Sequence, residues 1–251
     1  MSKVKSIALI TGAGKRIGHH LALSLAKEGW SIAAHYNQSE EGALELNREI
    51  KKFGGKAISL KADLKNDKEV IPLIAACQAE LGLPNLLINC ASVFHKDELK
   101  TLESKTFDEQ MAINLKAPLL LSKAFAEAHQ KALSGGDKDA SANIINITDQ
   151  RVQKLNPTFF SYTLSKVGLS TATITMAQSL APNIRVNAIA PGPVLQSIHQ
   201  TEDEFKNECK GTLLEAGTTP DQIFETVKFI LQTNSLTGET ITLAGGQHLK
   251  W

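Results

Sequence analysis

The stretch Ser6-Ile-Ala-Leu-Ile-Thr-Gly12-Ala-Gly14-Lys-Arg-Ile-Gly18 decides the fold of this chain. Its opening residues, Ser6–Ile10, form a short apolar run that predicts a buried strand. The glycines predict a tight turn, and the residues after them predict a helix whose apolar side includes Ile17, Leu21 and Leu25. Glycines can stand in such a position for the turn alone. At the end of a first strand, however, they also let the backbone approach a dinucleotide pyrophosphate at the positive end of a helix.

Six further apolar runs predict strands along the rest of the sequence. They are Ser31–Tyr36, Ala57–Lys61, Leu86–Asn89, Asn143–Ile147, Arg185–Ala190 and Glu239–Leu243. Helical patterns lie between them, including one stripe of Val70, Ile74, Cys77 and Leu81 and another of Ala43, Leu46, Ile50 and Phe53, closed by Gly54. Because strands and helices alternate, the pattern predicts an α/β fold, a single doubly wound parallel sheet of seven strands with helices on both faces. Residues 1–251 are expected to form one domain.

Composition excludes several classes of protein. The 251 residues carry 27 basic and 26 acidic side chains, a net charge of +1, and both signs are spread along the chain. That balance favours neither a nucleic-acid partner nor a membrane surface, and no run approaches the ~18 apolar residues of a membrane span. The three cysteines, Cys77, Cys90 and Cys209, show no paired spacing, which indicates a reducing compartment. Residues 1–10 hold too short an apolar run for a signal peptide, so we expect a cytoplasmic protein.

Two stretches interrupt the alternation of strands and helices. Ser134–Ser141 is rich in glycine, serine and charge and predicts a polar surface loop. Pro191–Pro220 contains Pro-Gly-Pro, a weak polar helical pattern and Gly-Thr-Thr-Pro. An insertion that leaves the carboxyl end of a strand is well placed to close over a substrate, so residues 193–219 are predicted to be a substrate lid. The alternative is a mobile surface excursion.

The end of the second predicted strand indicates which dinucleotide binds. An NAD site usually has an acidic residue about 20 positions after the glycines, where it holds the ribose 2′-hydroxyl. Here the strand ends in His35-Tyr-Asn37-Gln38-Ser39, with no acid before Glu40. The neutral donors of that stretch, with Lys15 and Arg16 across the turn, suit a 2′-phosphate, so NADPH is the predicted cofactor. Ser39 and the acids after it also predict a helix start, which is compatible with that role.

Polar residues follow the third and fourth predicted strands. Asp63 could accept from an adenine amino group or could cap the next turn. Asn89-Cys90-Ala91-Ser92 lies at the switch point where doubly wound sheets bind ligands, and Cys90 is interpreted there as a small packed residue rather than a nucleophile. Asn114 stands among apolar neighbours in a helical segment. Because a buried asparagine needs partners, it either satisfies a local kink or holds a water beside the reactive site.

Asp149, Tyr162 and Lys166 are the candidate reactive residues. Tyr162 and Lys166 stand four residues apart, so on a helix they share one face. An ammonium beside a phenol favours the phenolate, which predicts a lowered pKa of Tyr162 and a proton donor usable near neutral pH. Asp149 adds a carboxylate to the pair. Beside it, Arg151 could bind an anionic substrate tail or could be a solvated loop residue.

Together these motifs resemble the short-chain dehydrogenase/reductase family, whose fold is of the Rossmann type. The resemblance covers nearly the whole chain: the glycine turn, Asp63, Asn89-Cys90-Ala91, Asn114, Tyr162-x-x-x-Lys166, Arg185-Val-Asn-Ala-Ile-Ala-Pro-Gly192 and the terminal Leu-Ala-Gly-Gly. It implies that Tyr162 is the acid, that Lys166 binds the nicotinamide ribose, and that Asn114 completes a proton relay. It also implies a homotetramer, in which Trp251 either lies against a neighbouring subunit or covers the core.

The cofactor contacts of the family can be carried onto this sequence position by position. On that basis the residues expected to hold NADPH are Gly12, Gly14, Lys15, Arg16, Ile17, Gly18, Asn37, Gln38, Ser39, Asp63, Leu64, Asn89, Ala91, Ser92, Tyr162, Lys166, Pro191, Gly192 and Val194. No metal ligands are expected.

Departures from the family pattern point to one subgroup. Arg16 replaces the usual second glycine of the turn, and Asp149 replaces the usual catalytic serine. With Ser92 and Phe94, this set is similar to the pteridine reductases, and the ending Gly-Gly-Gln-His-Leu-Lys resembles the bacterial dihydromonapterin reductases in particular. The substrate contacts that the resemblance implies are Arg16, Ser92, Phe94, Asp149 and Tyr162. Phe94 would stack on a pterin, although it could instead be a core residue.

An aspartate at position 149 suits one reaction better than another. Ketone reduction produces an oxyanion, which an ionised carboxylate ~4 Å away would repel by roughly 4 kcal/mol at an effective dielectric constant of 20. A pterin nitrogen tolerates that charge. The predicted reaction is therefore hydride transfer from NADPH to C6 of a 7,8-dihydropterin, with Tyr162 protonating N5 directly or through water. A protonated Asp149 could still act as a donor.

Three dihydropterins and two other functions stay open on sequence grounds. Dihydromonapterin, dihydrobiopterin and dihydrofolate all contain the predicted ring. An NADPH-dependent carbonyl reductase, such as a 3-oxoacyl-carrier-protein reductase, would be expected to carry serine in place of Asp149. A non-catalytic NADPH-binding protein would tend to lose Tyr162 or Lys166, and both are present.

Overall fold

Seven strands form one parallel sheet. The computed structural model describes residues 6–136 and 142–250, and its strands are β1 (Ile7–Ile10), β2 (Ser31–Tyr36), β3 (Ala57–Lys61), β4 (Leu86–Asn89), β5 (Ala142–Ile147), β6 (Ile184–Pro191) and β7 (Thr240–Leu243). They lie in the order β3-β2-β1-β4-β5-β6-β7, and every neighbouring pair is parallel. The predicted sheet is confirmed, and no strand end differs from its prediction by more than one residue. Trp251 and residues 137–141 of the predicted polar loop lie outside the described residues.

Helices cover both faces of the sheet. Their bounds are α1 (Arg16–Lys27), α2 (Glu40–Lys52), α3 (Asp67–Val70), α4 (Leu73–Glu80), α5 (Ser104–Met111), α6 (Ala117–Ser134), α7 (Phe160–Leu180), α8 (Glu202–Lys210) and α9 (Pro220–Gln232). One buried apolar cluster includes Leu25 of α1 and Val227 of α9, and a second includes Cys77 of α4 and Phe125 of α6. Within the described ranges, no helix has the length and apolar character needed to cross a membrane.

Two helical segments differ from their predicted form. The stripe from Val70 to Leu81 extends over two helices, α3 and α4, because Pro72 has no N–H with which to continue the first of them. In α2, the predicted apolar residues Ala43, Leu46 and Ile50 are buried, but Phe53 is 45% exposed. That residue follows the end of the helix at Lys52, so it no longer shares the buried face.

The strand register brings the carboxyl ends of the central strands to one edge. Ile88 of β4 pairs with Ile10 of β1 and with Ile145 of β5. Two residues further along β5, Ile147 pairs with Ile189 of β6. The segments that leave these four strands therefore emerge side by side, at the edge where doubly wound sheets bind ligands.

The start of α2 lies against the glycine turn. A Cβ added to Gly42 would overlap the carbonyl oxygen of Gly14, and a Cβ added to Gly14 would overlap the hydroxyl of Ser39. Backbone packs directly on backbone here, which only glycine allows. The position of the turn therefore depends on two glycines that are far apart in sequence.

Gly42→Ala is expected to lower the free energy of unfolding by about 1–3 kcal/mol, because the methyl group must push α2 away from the turn. The matched control is Gly135→Ala, where the nearest heavy atom lies 3.3 Å from the added Cβ and little change is expected. Urea unfolding of both variants measures the difference. A Gly42→Ala protein as stable as the wild type would contradict the close packing.

Candidate active site

A cleft of about 1050 Å³ opens at the carboxyl edge of the sheet. The predicted site residues that line it are Gly12, Lys15, Arg16, Ile17, Gly18, Asn37, Gln38, Ser39, Leu64, Ala91, Ser92, Phe94, Asp149, Tyr162, Lys166, Pro191, Gly192 and Val194. The predicted residues outside its wall are Gly14, Asp63, Asn89 and Asn114. The fold thus brings the glycine turn, the reactive residues and Phe94 to one cavity. No group of metal-binding side chains occurs among the residues that the structure describes.

His35 holds the glycine turn, a role that the sequence pattern did not reveal. Its Nδ1 accepts a hydrogen bond from the Gly12 N–H at 3.2 Å, and its Nε2 lies 3.1 Å from the carbonyl oxygen of Ala62. These two partners require the neutral ring with its proton on Nε2. Burial lowers the pKa of His35 to about 4, so the ring is neutral at pH 7. The turn is therefore fixed from β2 at physiological pH.

Arg16 adopts a backbone conformation that favours glycine. Its φ angle is 55°, in the left-handed region that costs a residue with a side chain roughly 1–2 kcal/mol. Its guanidinium donates to the carbonyl oxygens of Gln196 at 2.9 Å and Leu195 at 3.1 Å. Arg16 therefore joins the glycine turn to the segment predicted as a lid. Backbone strain of this kind is typical of functional positions.

Two predicted cofactor contacts have other partners. The Asp63 carboxylate accepts from the Lys65 N–H at 3.0 Å, which is the turn-capping alternative. The Asn89 Nδ2 donates to Asn146 Oδ1 at 2.8 Å, and the Asn146 Nδ2 donates to Thr173 Oγ1 at 2.9 Å. This buried chain connects β4 to β5 and α7. The Asn89 side chain therefore supports the strand ends from inside the protein.

The side chain of Asn114 is fully hydrogen-bonded. It lies in a π-helical turn, Ala112–Lys116, between α5 and α6. Its Oδ1 accepts from the Val93 N–H at 2.9 Å and from Ser92 Oγ at 3.1 Å, and its Nδ2 donates to the Val93 carbonyl at 2.9 Å and to Ser165 Oγ at 3.1 Å. An amide side chain makes at most about four such bonds. Of the two predicted roles of the Asn114 side chain, stabilising a local kink is therefore favoured over holding a water. A water at this point would have to bind the main chain of Asn114.

Asp149 links the reactive tyrosine to its own turn. One carboxylate oxygen accepts from the Arg151 N–H at 2.9 Å, and the other accepts from the Tyr162 hydroxyl at 2.9 Å. Lys166, one helical turn further along α7, donates from Nζ to the carbonyl oxygen of Ile147 at 2.8 Å. The phenol therefore has a carboxylate as its direct partner, and the ammonium is held by the end of β5.

The pKa of Tyr162 differs from its prediction. Burial raises this pKa well above its usual value, and the charge and hydrogen bond of Asp149 raise it further, against smaller opposing effects of Arg151 and Ser92. Burial also lowers the pKa of Lys166 to about 8 and raises that of Asp149. The expectation of a lowered tyrosine pKa is wrong for this structure, because it included the ammonium but neither burial nor the adjacent carboxylate.

Cys90 is a packed residue, as predicted. It packs against the buried apolar cluster that includes Leu25 and Val227. Burial raises the pKa of the Cys90 thiol to about 11, so it is protonated at pH 7. A nucleophilic thiolate is therefore excluded near neutral pH.

Phe94 is a cleft residue and belongs to neither buried apolar cluster. Its ring stacks on that of Phe159, with centroids 4.0 Å apart and planes 2° apart, and meets the Tyr162 ring edge-on at 4.6 Å. Phe159 also lines the cleft, and its φ angle of 54° is strained for a bulky side chain. Sequence reasoning missed Phe159, because nothing in the pattern around it indicates that it faces Phe94.

The segment predicted as a lid forms one side of the cleft. Its lining residues include Leu195, His199 and Glu208, and α8 lies within it. The His199 Nε2 is 2.9 Å from the carbonyl oxygen of Phe94. With the bonds from Arg16, this contact connects the segment to both the glycine turn and the aromatic wall of the cleft.

Asp97 holds the first turn of the helix that carries Tyr162. Its buried carboxylate accepts from the Ser161 N–H at 3.1 Å and from the Ser161 hydroxyl, and its main-chain carbonyl accepts from the Phe160 N–H at 3.2 Å. It thereby satisfies N–H groups that a helix start leaves unpaired. Sequence reasoning missed this cap, because the acceptor comes from a loop far away in the chain.

Comparison with known proteins identifies the family. The sequence pattern of the family described as short chain dehydrogenase matches residues 6–207. The chain belongs to this family. The family predicted from the glycine turn and the Tyr162-x-x-x-Lys166 spacing is therefore confirmed.

This short chain dehydrogenase is similar over nearly its whole length to solved structures and curated sequences. Crystal structures of FolM alternative dihydrofolate reductase 1 from Brucella canis and Brucella suis, both in complex with NADP, are 39% identical with a TM-score of 0.92, and cover 98% of this chain and 95% and 96% of theirs. A 3-oxoacyl-[acyl-carrier-protein] reductase of Staphylococcus aureus is 29% identical over 98% of this chain and 100% of its own. The two reductases of dihydrofolate, a pterin compound, agree with the predicted subgroup.

The effect of Asp149 on Tyr162 can be measured directly, since the chain has only two tyrosines. In a Tyr36→Phe background, ultraviolet absorbance follows the ionisation of Tyr162 alone, and we expect a pKa well above 10. Asp149→Asn in that background should lower this pKa, because it removes a negative charge while the phenol stays buried. Tyr162→Phe in the same background is the blank. An unchanged pKa would show that the carboxylate does not act on the phenol.

Asp97→Ala is expected to lower the free energy of unfolding by about 1–3 kcal/mol, because two donors of Ser161 lose their buried acceptor. Asp97→Asn keeps an acceptor oxygen, so its free energy of unfolding should fall less. Asp108→Ala is the control, since that exposed carboxylate accepts only from Ser104 within the described residues. Chemical denaturation of the three variants tests the cap, and equal stability of Asp97→Ala and Asp108→Ala would argue against it.

Proposed function

We propose that the chain is an NADPH-dependent pteridine reductase, which transfers hydride to a C=N bond of a dihydropterin. One observation carries the proposal: the Tyr162 hydroxyl donates at 2.9 Å to the carboxylate of Asp149, beside the ring of Phe94. A carboxylate suits a nitrogen that gains a proton and is unfavourable beside a developing oxyanion. Dihydromonapterin, dihydrobiopterin and dihydrofolate are the candidate substrates.

NADPH is the proposed cofactor. The glycine turn fits its pyrophosphate, since Gly12 and Gly18 line the cleft and the turn leads into the N-terminus of α1. Lys15, Arg16 and the neutral stretch 37–39 line the same end of the cleft, where they would hold the 2′-phosphate. Both Brucella structures contain NADP, which supports this choice. When bound, the cofactor supplies the hydride.

Phe94 is the proposed stacking surface for the pterin. Phe159 already covers one face of the Phe94 ring, so a flat heteroaromatic ring would pack in parallel on the other face. The edge-on contact of Phe94 with Tyr162 keeps a ring there within reach of the phenol. Ser92 and Arg16 also line the cleft. They are proposed to contact both the pterin and the cofactor.

Tyr162 is the proposed proton donor. Hydride addition at C6 leaves N5 in need of a proton, which the phenol supplies directly or through a water. Because burial and Asp149 hold the pKa of Tyr162 well above its usual value, the phenol is protonated at neutral pH. Asp149 accepts its hydrogen bond and thereby orients it, and Lys166 is proposed to bind the nicotinamide ribose.

Residues 193–219 are proposed to close over the substrate within a single domain of residues 1–251. The contacts from Arg16 to Leu195 and Gln196 and from His199 to Phe94 support this role, because they connect the segment to both ends of the cleft. Closure of such a segment excludes water from the reacting groups.

A carbonyl reductase is the second candidate. The Staphylococcus aureus 3-oxoacyl-[acyl-carrier-protein] reductase matches the chain from end to end, which favours that activity. Asp149 weighs against it, since an oxyanion next to this carboxylate would be repelled. The two candidates differ in the atom that receives the proton, which is nitrogen in one and oxygen in the other.

Oxidation of NADPH by the purified protein separates the candidates. We expect turnover of 7,8-dihydropterins and dihydrofolate, little turnover of an acetoacetyl thioester, and weaker activity with NADH. Tyr162→Phe should abolish the reaction because the proton donor is lost, and serves as the control for background oxidation. Activity on the thioester alone would overturn the proposal, and equal or better activity with NADH would overturn the choice of cofactor.

Asp149→Ser tests the role of the carboxylate. We expect pterin turnover to fall by about tenfold or more, equivalent to a loss of roughly 1.4 kcal/mol in transition-state stabilisation, because the phenol loses its orienting partner. Thioester turnover should stay the same or rise in this variant. Improved pterin turnover in Asp149→Ser would count against the proposed function.

A further inference from the structure

Arg151 is a cleft residue to which the proposed mechanism gives no role. It lies in the short 3₁₀ helix Gln150–Val152 directly after Asp149, and it lines the cleft. Its main-chain N–H donates to the Asp149 carboxylate at 2.9 Å. This bond anchors the base of the side chain next to the reactive pair, so the guanidinium belongs to the same wall as Asp149 and Tyr162.

No described carboxylate forms an ion pair with this guanidinium. Arg151 forms none of the ion pairs found between residues 6 and 136 or 142 and 250. Its Nη1 is buried and has no hydrogen-bond partner in those ranges. Buried donors of folded proteins are almost always paired. The charge of Arg151 favours the ionised form of the adjacent Asp149, but its Nη1 is left without an acceptor among these residues.

Phe159 holds the guanidinium in position. The Arg151 Cζ lies 5.1 Å from the centre of the Phe159 ring, within the range of a cation–π contact. Phe159 in turn stacks on Phe94 at 4.0 Å. Its left-handed backbone, with φ of 54°, is a conformation that bulky residues keep mainly at functional sites. One continuous stack of side chains therefore lines the cleft, in the order Arg151, Phe159 and Phe94.

We propose that Arg151 is a substrate-binding residue whose guanidinium donates hydrogen bonds to an acceptor oxygen of the substrate. The inference rests on the proposed function, since Arg151 lines the same cleft as Asp149 and Tyr162. Two substrate oxygens have the required chemistry: the ring carbonyl, which every dihydropterin carries, and the tail carboxylate, which dihydrofolate alone carries. A guanidinium pairs with either kind of acceptor.

Steady-state kinetics with two substrates tests this assignment. For Arg151→Gln we expect KM to rise about tenfold to a hundredfold, the effect of losing a hydrogen bond to a charged group, with an unchanged Kd for NADPH. Arg151→Lys keeps the charge but loses the planar fork, so its KM should rise less. A higher KM for both dihydrobiopterin and dihydrofolate would show that Arg151 binds the ring carbonyl oxygen. A higher KM for dihydrofolate alone would show that Arg151 binds the tail carboxylate.

Lys154→Gln is the matched control, because this exposed cation lies on the same loop, bonds to the Lys250 carbonyl and does not line the cleft. If Arg151 had only a structural role, its variants would show a lower melting temperature and weaker NADPH binding as well as a higher KM. That result would overturn the inference. An unchanged KM for both substrates in Arg151→Gln and Arg151→Lys would overturn this inference and leave the proposed function intact. Wild-type protein that turns over neither substrate would overturn the proposed function and this inference with it.

Discussion

The register of the parallel sheet is the constraint on which the rest of the site depends. Ile88 pairs with Ile10 on one side and Ile145 on the other, so β1, β4 and β5 end within two residues of one another. The hydroxyl oxygen of Thr11 then accepts from the Cys90 and Ala91 N–H groups and joins two of these ends directly. A slip of one residue would turn every side chain of a strand to the other face. The glycine turn and Asp149 would no longer face a common cleft.

Local pattern was sufficient for the fold and for Asp149, Tyr162 and Lys166, but it did not indicate other charged residues of the cleft such as Glu109, Glu204 and Glu208. Apolar runs predicted all seven strands, because the five inner strands are almost wholly buried and the edge strands β3 and β7 are partly buried. The spacing of Tyr162 and Lys166 predicted a shared helix face for the same kind of reason. The sequence pattern could not predict contacts between residues that are far apart in sequence. The bonds from His35 to Gly12 and from Asp97 to Ser161 are of this kind, and each became visible only in the folded chain.

The electrostatics of the cleft show why residue types alone were insufficient. A lysine four residues from a tyrosine suggests a lowered phenol pKa, yet burial acts on both groups and Asp149 is the nearer charge. Burial raises the pKa of Tyr162 and Asp149 and lowers that of Lys166. In each case the less charged form is favoured. The site therefore keeps the phenol of Tyr162 protonated, ready to donate, rather than maintaining a phenolate.

The two hydrogen bonds of Asp149 have a mechanical consequence. Its separate oxygens accept from the Arg151 N–H and from the Tyr162 hydroxyl, so one side chain ties the phenol to the backbone of the turn that follows β5. A ligand that displaced this turn would also displace the proton on the phenol. The shape of this side of the cleft and the position of the reacting hydrogen are therefore coupled.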